Sequence, residues 1–466
     1  MQIYNSLTKQ KEEFAPRNGK KVKMFVCGPT VYDRIHIGNA RTFVFFDVAA
    51  KYLRQGGYKV KYIQNITDIE DRIIARAEET GKNPLVLAKE FTKVFLADTK
   101  TLRITAVNKY APASRHIKEV VSQVKKLIKA GCAYEIKNGG WYFDLSAFPE
   151  YGKLSGRTAE MADDAVSRID ENPNKRNRGD FCLWKFADGS AKEPSWKTEL
   201  GKGRPGWHIE DTAITEKYFG PQYDLHGGGV DLMFPHHEAE IAQQESASGL
   251  KPFVKYWLHA GFLVNKNQKM SKSLSNFMTL NEALKTYPAA ALRLYFLGAH
   301  YRSPLDLSEE TLKSASAGTQ RISEFVARLS AVKTRSVHLS ESEKMLDSAK
   351  REFVFAMDDD FNTPQAIAVI FKLIKELNTP LNENRIDKKT AKKIKTLLDE
   401  FNSVLGIIPE KTKKIPDEIL KMADTREKLR RDKRYSEADD LRRQITLKGY
   451  LVEDTELGSL IREKRT

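Results

Sequence analysis

At 466 residues, with 41% hydrophobic and 10% aromatic side chains, the chain has the make-up of a soluble globular protein of about two to four domains. No run approaches ~18 uninterrupted apolar residues, the start Met1–Leu7 lacks a basic segment leading into an apolar one, and three scattered cysteines (Cys27, Cys132, Cys182) do not suggest a disulfide framework, so no membrane contact and no secretion signal are expected and a reducing cytoplasm is. The net charge of +16 suits a polyanionic partner, because neutralising phosphates releases condensed counterions, although charge alone fits a basic enzyme without nucleic acid equally well.

Along the chain, Lys21–Cys27 reads as a buried strand through Val22, Met24, Phe25 and Val26, and Gly28-Pro29-Thr30 turns away from it. A helix is predicted from Asn39 to Arg54, with Phe43, Phe46, Ala50 and Leu53 at helical spacing and Gly56-Gly57 as its stop. Lys59–Ile63 follows as a second strand. Strand, helix, strand within this length is a βαβ unit, which implies a parallel sheet with ligands at the carboxyl ends of its strands. Cys27, Thr30 and Thr67 fall at or just beyond those ends. Residues 100–200 look like an insertion that mixes a helix, Ser114–Ala130, with glycine- and charge-rich loops such as Asn172–Gly179. The parallel pattern resumes at Tyr223-Asp224-Leu225-His226, with Gly227-Gly228-Gly229 following the strand. A further apolar run, Tyr256–Val264, leads into a lysine-bearing loop. From Leu307 strand signals fade and charged helical patterns take over, as in Ser308–Val332 and Ser340–Met357. Asp387–Phe401 and Thr425–Arg443 are rich in Lys and Arg.

Four segments carry chemistry. His36-Ile37-Gly38-Asn39 stands at the predicted helix start, where free N–H groups and the helix dipole favour phosphate. Lys269-Met270-Ser271-Lys272-Ser273 can set two ammonium charges against phosphates as charge moves onto a leaving group. Its flanks, Asn265, Lys266, Asn267 and Ser275, suit a loop that closes over a ligand. Gly227, Gly228 and Gly229 let a nucleotide lie against the backbone, with Asp231 near ribose hydroxyls, though a glycine run by itself is an ordinary loop. Phe234-Pro235-His236-His237-Glu238-Ala239-Glu240 reads as a helix start with Pro235 in the first position. His236 and Glu240, four apart, share one helical face and can present an imidazole and a carboxylate to one Zn²⁺. The same spacing also fits an acidic first turn favoured by the dipole.

In this order and separation, the His36 and Lys269 segments resemble the two ATP-handling signatures of class I aminoacyl-tRNA synthetases. The first has Asn39 where that class has a second histidine; the second is complete, with Ser275 where glycine is usual. With the residues around them, the whole chain resembles the cysteinyl-tRNA synthetase family. The resemblance implies an α/β fold: a Rossmann-type parallel-sheet catalytic domain with an insertion, followed by all-α helical C-terminal domains. The implied spans are 1–100 and 201–265 for the two catalytic halves, 101–200 for the insertion, 266–310 for the KMSKS loop and stem-contact region, 311–401 for a helical bundle and 402–466 for anticodon binding. It assigns His36, Asn39, Lys269 and Lys272 to catalysis, and Gly38, Gly227, Gly228, Gly229, Asp231 and Lys272 to ATP. Thr30, Thr67, Trp207 and His226, with His208 and His259 nearby, are assigned to cysteine. The implied zinc ligands are Cys27, Asp211, His236 and Glu240, with Asp211 standing where the family usually has cysteine. Aspartate binds zinc through oxygen at similar reach, while the harder donor set is expected to weaken zinc retention or admit another metal. Cys132 and Cys182 read as buried small hydrophobes.

The implied reaction uses ATP with Mg²⁺ to form cysteinyl-adenylate from L-cysteine and then loads tRNA(Cys), with one Zn²⁺ per chain and a monomer as the expected state. Serine differs from cysteine by one atom, and shape alone separates near-isosteres poorly; a zinc-bound thiolate separates them well. Met357–Pro364 resembles the family's helical bundle, and Arg434–Arg442 its anticodon-recognising end, where Tyr435 and Tyr450 can stack on bases. Two rivals share parts of this pattern. An aminosugar–cysteine ligase would not need the long basic C-terminal half, and a non-catalytic RNA binder would not need intact His36, Lys269, Lys272 and metal residues.

Overall fold

Val22, Met24, Phe25 and Val26 are all buried along the strand Lys21–Val26, as a parallel strand covered on both faces requires. In this computed structural model, which describes residues 1–157, 172–189, 193–265, 268–269, 278–333, 342–409, 416–455 and 458–463, that strand sits at the centre of a five-stranded parallel sheet. The order across the sheet is Val254–Ala260, Tyr223–Gly229, Lys21–Val26, Lys59–Ile66 and Lys109–Pro112. In chain order this is fifth, fourth, first, second, third. The sheet therefore reverses its direction of growth between Lys21–Val26 and Tyr223–Gly229, and the crevice at such a reversal is where α/β sheets bind ligands.

The helix packed on this sheet runs Ile37–Gln55, two residues earlier than its periodicity announces, because His36 caps it. The second strand reaches Ile66 rather than Ile63. Gln64 and Asn65 disguise its end, yet both are buried. The glycine triad completes the strand Tyr223–Gly229 instead of following it, with Gly227, Gly228 and Gly229 opposite Leu258, His259 and Ala260. The apolar run Tyr256–Val264 is two strands, Val254–Ala260 and Leu263–Asn265, divided at Gly261. A Cβ there would lie 2.7 Å from the carbonyl oxygens of Arg302 and Ser303. The helix expected from Ser114 begins at Ile117 after a tight turn, Ala113–Arg115. Pro235 is not its helix's first residue. Phe234 is extended (φ −141°, ψ 131°), one wide turn spans Met233–His237, and the α-helix is Glu238–Ser248.

Between the third and fourth parallel strands lies a second sheet, antiparallel, in the order Ala133–Ile136, Gly140–Phe143, Phe181–Phe186, Gly201–Pro205, Trp196–Thr198. Its Phe143, Phe181, Leu183 and Trp184 share one buried cluster with Cys27, Ile209, Ala213 and Ala239. The insertion thus covers the crevice end of the main sheet. Cys132 belongs to the same cluster, Cys182 packs beside Tyr134, Ile136 and Tyr142, and all three cysteines are free thiols.

The chain divides into two compact units, Met1–Ile407 and Ile408–Thr466. The first ends in the helices Glu309–Ala331, Ser342–Asp358, Thr363–Asn382 and Lys388–Leu405. The second packs Asp417–Arg431 and Tyr435–Leu447 with a hairpin, Tyr450–Thr455 and Gly458–Glu463, around Ile419, Ala423, Ile445 and Val452. Among the described residues no helix is long and apolar enough to cross a membrane.

A buried ion pair ties helices of the first unit to one another. Arg293 Nη2 donates to Asp47 Oδ2 at 2.9 Å, and its other nitrogens donate to the carbonyls of Leu102, Arg103 and Leu405. Asp47 Oδ1 accepts the Thr105 and Ala106 N–H groups, and both side chains are fully buried. Removing one partner of such a pair strands the other charge. Asp47→Ala is expected to destabilise the first unit by about 3–5 kcal/mol, read as a lowered denaturant midpoint.

Candidate active site and metal centre

Cys27 directly continues the first strand, its N–H donating to the Gly227 carbonyl at 3.0 Å, so its thiol opens onto the crevice. Two helices aim at that sulfur. Asp211 lies in the first turn of Ile209–Phe219, and His236 and Glu240 lie at the start of Glu238–Ser248 and the turn before it. Cys27 Sγ is 3.2 Å from Asp211 Oδ2 and 3.8 Å from Glu240 Oε1. His236 Nε2 is 3.2 Å from Asp211 Oδ2 and 3.1 Å from Glu240 Oε1. The ligand atoms of these four residues lie within 4.8 Å of one another, and all four are buried.

A second group overlaps the first: Cys27, His226, His237 and Glu240 also have their ligand atoms within 4.8 Å. The two groups share Cys27 and Glu240. His226 Nε2 and His237 Nε2 stand 3.3 and 3.2 Å from Cys27 Sγ. Trp207, partly exposed, stacks on His236 with ring centroids 4.5 Å apart, and so marks the open side of the first group.

The electrostatics of this cluster ask for a cation. Burial, then the charges of Asp211 and Glu240, push the Cys27 thiol well up, and burial followed by Asp211 pushes the Glu240 carboxyl up. Asp211 Oδ1 and Glu240 Oε2 are buried without a hydrogen-bond partner. Anionic groups brought together away from water need either protons or a counter-charge. A thiol, an imidazole and two carboxylates are donors that Zn²⁺ accepts, so the residues present fit that ion. Burial holds His208, His226, His237 and His259 below the usual imidazole range, His259 down to about 3, which keeps them neutral. Their outer nitrogens are tethered, as the rings of metal-site histidines are. His236 Nδ1 meets His208 at 2.8 Å and His226 Nδ1 meets the Tyr223 hydroxyl at 2.5 Å. His237 Nδ1 meets His259 at 2.8 Å, and His259 in turn meets Ser6 Oγ at 2.8 Å.

Thr30 and Thr67 pair as an isolated bridge beyond the ends of neighbouring strands, next to this cluster in the chain. Thr67 Oγ1 donates to Glu210 Oε2 at 3.1 Å and accepts from Asn65 Nδ2 at 3.3 Å. Glu210, Asn65, His237 and Tyr223 were not singled out by sequence. The signals were thin: Glu210 is the neighbour of Asp211, His237 is the second of two adjacent histidines, and the other two read as ordinary strand residues.

The two ATP signatures differ in what they show. His36 Nδ1 accepts the N–H groups of Gly38 and Asn39 at 3.1 and 3.3 Å, so the histidine caps its own helix and occupies donors that were expected to face phosphate. A Cβ at Gly38 would lie 2.8 Å from that ring nitrogen. Ile35 to Ile37 pair with Met278 to Leu280, immediately after the lysine loop, through Ile37 N–H to Met278 O and Leu280 N–H to Ile35 O, both 3.0 Å. Buried Arg41 donates to four carbonyls, those of Gly261, Phe262, His300 and Ser303, and so ties the same helix to the strand leading into the loop. The backbone of Lys269 closes a short strand, Gln268–Lys269; Lys272 and the rest of the motif lie outside the described residues. At the glycine triad, a Cβ on Gly227 would meet the Phe46 ring at 2.1 Å, and one on Gly228 the His237 ring at 2.9 Å. These two glycines answer to packing in the protein. Gly229 lies against Asp231, which is exposed.

Residues 13–317 match the family of class I tRNA synthetase (C) catalytic domains, and residues 352–409 match the DALR domain. Among curated proteins, the cysteine–tRNA ligase of Carboxydothermus hydrogenoformans is 41% identical over 471 residues, covering 100% of both chains. That of Clostridioides difficile is 41% identical over 468 residues, covering 98% of this chain and 99% of its own. Among solved structures, methionyl-tRNA synthetase of Mycobacterium tuberculosis with methionyl-adenylate superposes at a TM-score of 0.61 and 15% identity, covering 83% of this chain and 90% of that one, a likeness of fold.

Proposed function

Because this chain belongs to the cysteine–tRNA ligases, class I aminoacyl-tRNA synthetases that consume ATP to join L-cysteine to tRNA, we propose that it selects its amino acid with a Zn²⁺ held by Cys27, Asp211, His236 and Glu240. One observation carries the proposal: four buried donor atoms of suitable chemistry converge, with one oxygen each of Asp211 and Glu240 left without a hydrogen bond. When bound, such an ion supplies a soft seat for the substrate thiolate that a serine hydroxyl cannot match. Asp211 replaces a sulfur donor with oxygen, which leaves the ion harder than in a two-cysteine site and is expected to lower metal retention without abolishing it.

Around that seat, Trp207 closes over the small substrate from the open side, His226 lines the wall, and Thr30 and Thr67 bound the amino acid at the strand ends. His36, Asn39, Gly38, Gly229, Asp231 and the two lysines Lys269 and Lys272 serve ATP, which enters with Mg²⁺. Catalysis is positioning plus charge stabilisation, with no covalent nucleophile among the side chains. The basic segment 402–466 reads the anticodon of tRNA(Cys), and the enzyme works as a cytoplasmic monomer.

The test is ATP–pyrophosphate exchange by purified zinc-supplied protein with cysteine and with serine, before and after chelation. Exchange with cysteine but nearly none with serine, lost on chelation and restored by zinc, is the expected result. Exchange that is indifferent to chelation would sink the metal reading while leaving the adenylation intact.

A further inference from the structure

The turn between the helices Ser342–Asp358 and Thr363–Asn382 is held in a form that the backbone disfavours. Asp360 and Phe361, neither of them glycine, both take left-handed backbone angles, with φ 56° and 52°. Such a turn persists only where its surroundings over-determine it, and both residues are fully buried. The Asp360 N–H donates to the Gln2 carbonyl at 2.9 Å. Its carboxylate gathers donors from two distant parts of the chain. Oδ1 accepts the Tyr4 N–H at 2.8 Å and the Tyr301 hydroxyl at 2.9 Å. Oδ2 accepts from Arg302 Nε at 2.8 Å in an ion pair, with His300 Nε2 3.6 Å away. The Arg302 guanidinium also lies over the Tyr4 ring, 4.3 Å from its centroid.

The segment His300–Ser303, which brings Tyr301 and Arg302 to that carboxylate, uses its backbone on another partner. The His300 and Ser303 carbonyls accept from Arg41, which also holds the carbonyls of Gly261 and Phe262. The Tyr301 carbonyl accepts the Gly261 N–H at 2.7 Å, and the Tyr301 ring stacks on Phe45 with centroids 3.9 Å apart. Just beyond, the Leu305 N–H donates to the Phe262 carbonyl at 3.0 Å. Leu305–Asp306 pairs with the strand Leu263–Asn265, whose other edge pairs with Gln268–Lys269. From Asp360 to the backbone of Lys269, hydrogen bonds and strand pairings join one short segment to the next. We propose that Asp360 is a positioning residue for adenylation: by fixing the side chains of Tyr301 and Arg302 it sets the His300–Ser303 backbone, and with it the strands that carry Lys269. The inference rests on the reading that the lysine motif serves ATP, and it gives the turn between two helices of the bundle a part in the chemical step.

The experiment counts active sites by the burst of adenylate formed in the presence of pyrophosphatase. It then measures kcat per active site, ATP KM, cysteine KM and the cysteine-to-serine ratio in pyrophosphate exchange. Asp360→Asn keeps the size and one side-chain oxygen and removes the charge that faces Arg302. It is expected to lower kcat per active site about tenfold and raise ATP KM about threefold, as a displacement of less than about 1 Å does, while cysteine KM and the cysteine-to-serine ratio stay within about twofold. Tyr301→Phe keeps the ring on Phe45 and removes one bond to the carboxylate, and should act in the same direction by about threefold in kcat. A merely structural role predicts fewer active sites with kcat per site and both KM values unchanged, and that result overturns the proposal. So does a parallel rise of cysteine and ATP KM. If Asp360→Asn does not fold, Tyr301→Phe alone decides, and unchanged kcat and ATP KM overturn it. Lys269→Ala separates the two readings. If it leaves exchange intact, the ATP role of the lysine motif fails and this inference with it; if it impairs exchange while Asp360→Asn does not, this inference alone fails.

Discussion

Cys27→Ala should reduce cysteine-dependent pyrophosphate exchange by about three orders of magnitude in kcat/KM, equivalent to ~4 kcal/mol of lost transition-state stabilisation. The size follows from what the thiol does at its position. With Glu240 it is common to both overlapping groups, and it is their one sulfur donor, so no rearrangement within the cluster replaces it. Its residue also follows directly on the central strand, held by backbone pairing with Gly227. Alanine keeps that pairing and the fold, since the sheet's hydrogen bonds do not involve the side chain. The residual activity should discriminate cysteine from serine by only about tenfold, the level that shape reaches for near-isosteres. Metal content by mass spectrometry and exchange with both amino acids check the two halves of this expectation. Near-normal discrimination in the variant would remove Cys27 from the selecting machinery.

The second large effect is expected from a residue that touches no ligand. A Cβ on Gly28 would stand 1.9 Å from the Asn65 carbonyl oxygen and 2.9 Å from its carbon. Both obstacles are backbone, so no side-chain rotation relieves the clash. The ends of the strands Lys21–Val26 and Lys59–Ile66 would have to part, carrying Cys27 on one side and Asn65 and Thr67 on the other. Overpacking of this kind costs about 1–3 kcal/mol of stability, and a shift near 1 Å between positioned groups costs about 100-fold in rate. Gly28→Ala is therefore expected to lose activity far more than stability, seen as a modest drop in melting midpoint beside a 100-fold fall in kcat/KM. Equal cysteine KM and kcat in the variant would show that the strand ends are not held as tightly as their contact implies.

What the sequence makes legible follows the kind of signal each residue gives. The central strand and its helix are plain, because Val22 to Val26 and Phe43 to Leu53 carry continuous or helical apolar patterns. Glu210 and Asp211 are hard to place by pattern. In the first turn of a helix two acidic residues read as solvated, dipole-favoured groups, yet both are buried here, on a helix whose Ile209 and Ala213 pack into the cluster shared with the antiparallel sheet. Only the family resemblance marks Asp211, and nothing marks Glu210. The glycine triad misleads in the opposite direction. It looks like a loop, yet the ring of Phe46 and the ring of His237 each need a residue without a side chain inside a strand. His36 reads as a phosphate neighbour, and its part as the cap of its own helix is not legible in the pattern.

The reversed strand order has a consequence for how the protein is made. Lys21–Val26 must wait for Tyr223–Gly229 to be synthesised before its second edge is paired. At ribosomal speeds that interval is on the order of tens of seconds, during which a flat apolar strand edge has no native neighbour on that side. Cys27 spends the same interval without Asp211, His236 or Glu240, which come 184, 209 and 213 residues later. The nascent amino-terminal half therefore has no complete set of the proposed metal donors, and capture of the proposed ion would mark the late closure of the sheet rather than its nucleation. A labelled chain released in stages should acquire zinc-dependent protease resistance only once the helix Glu238–Ser248 has emerged.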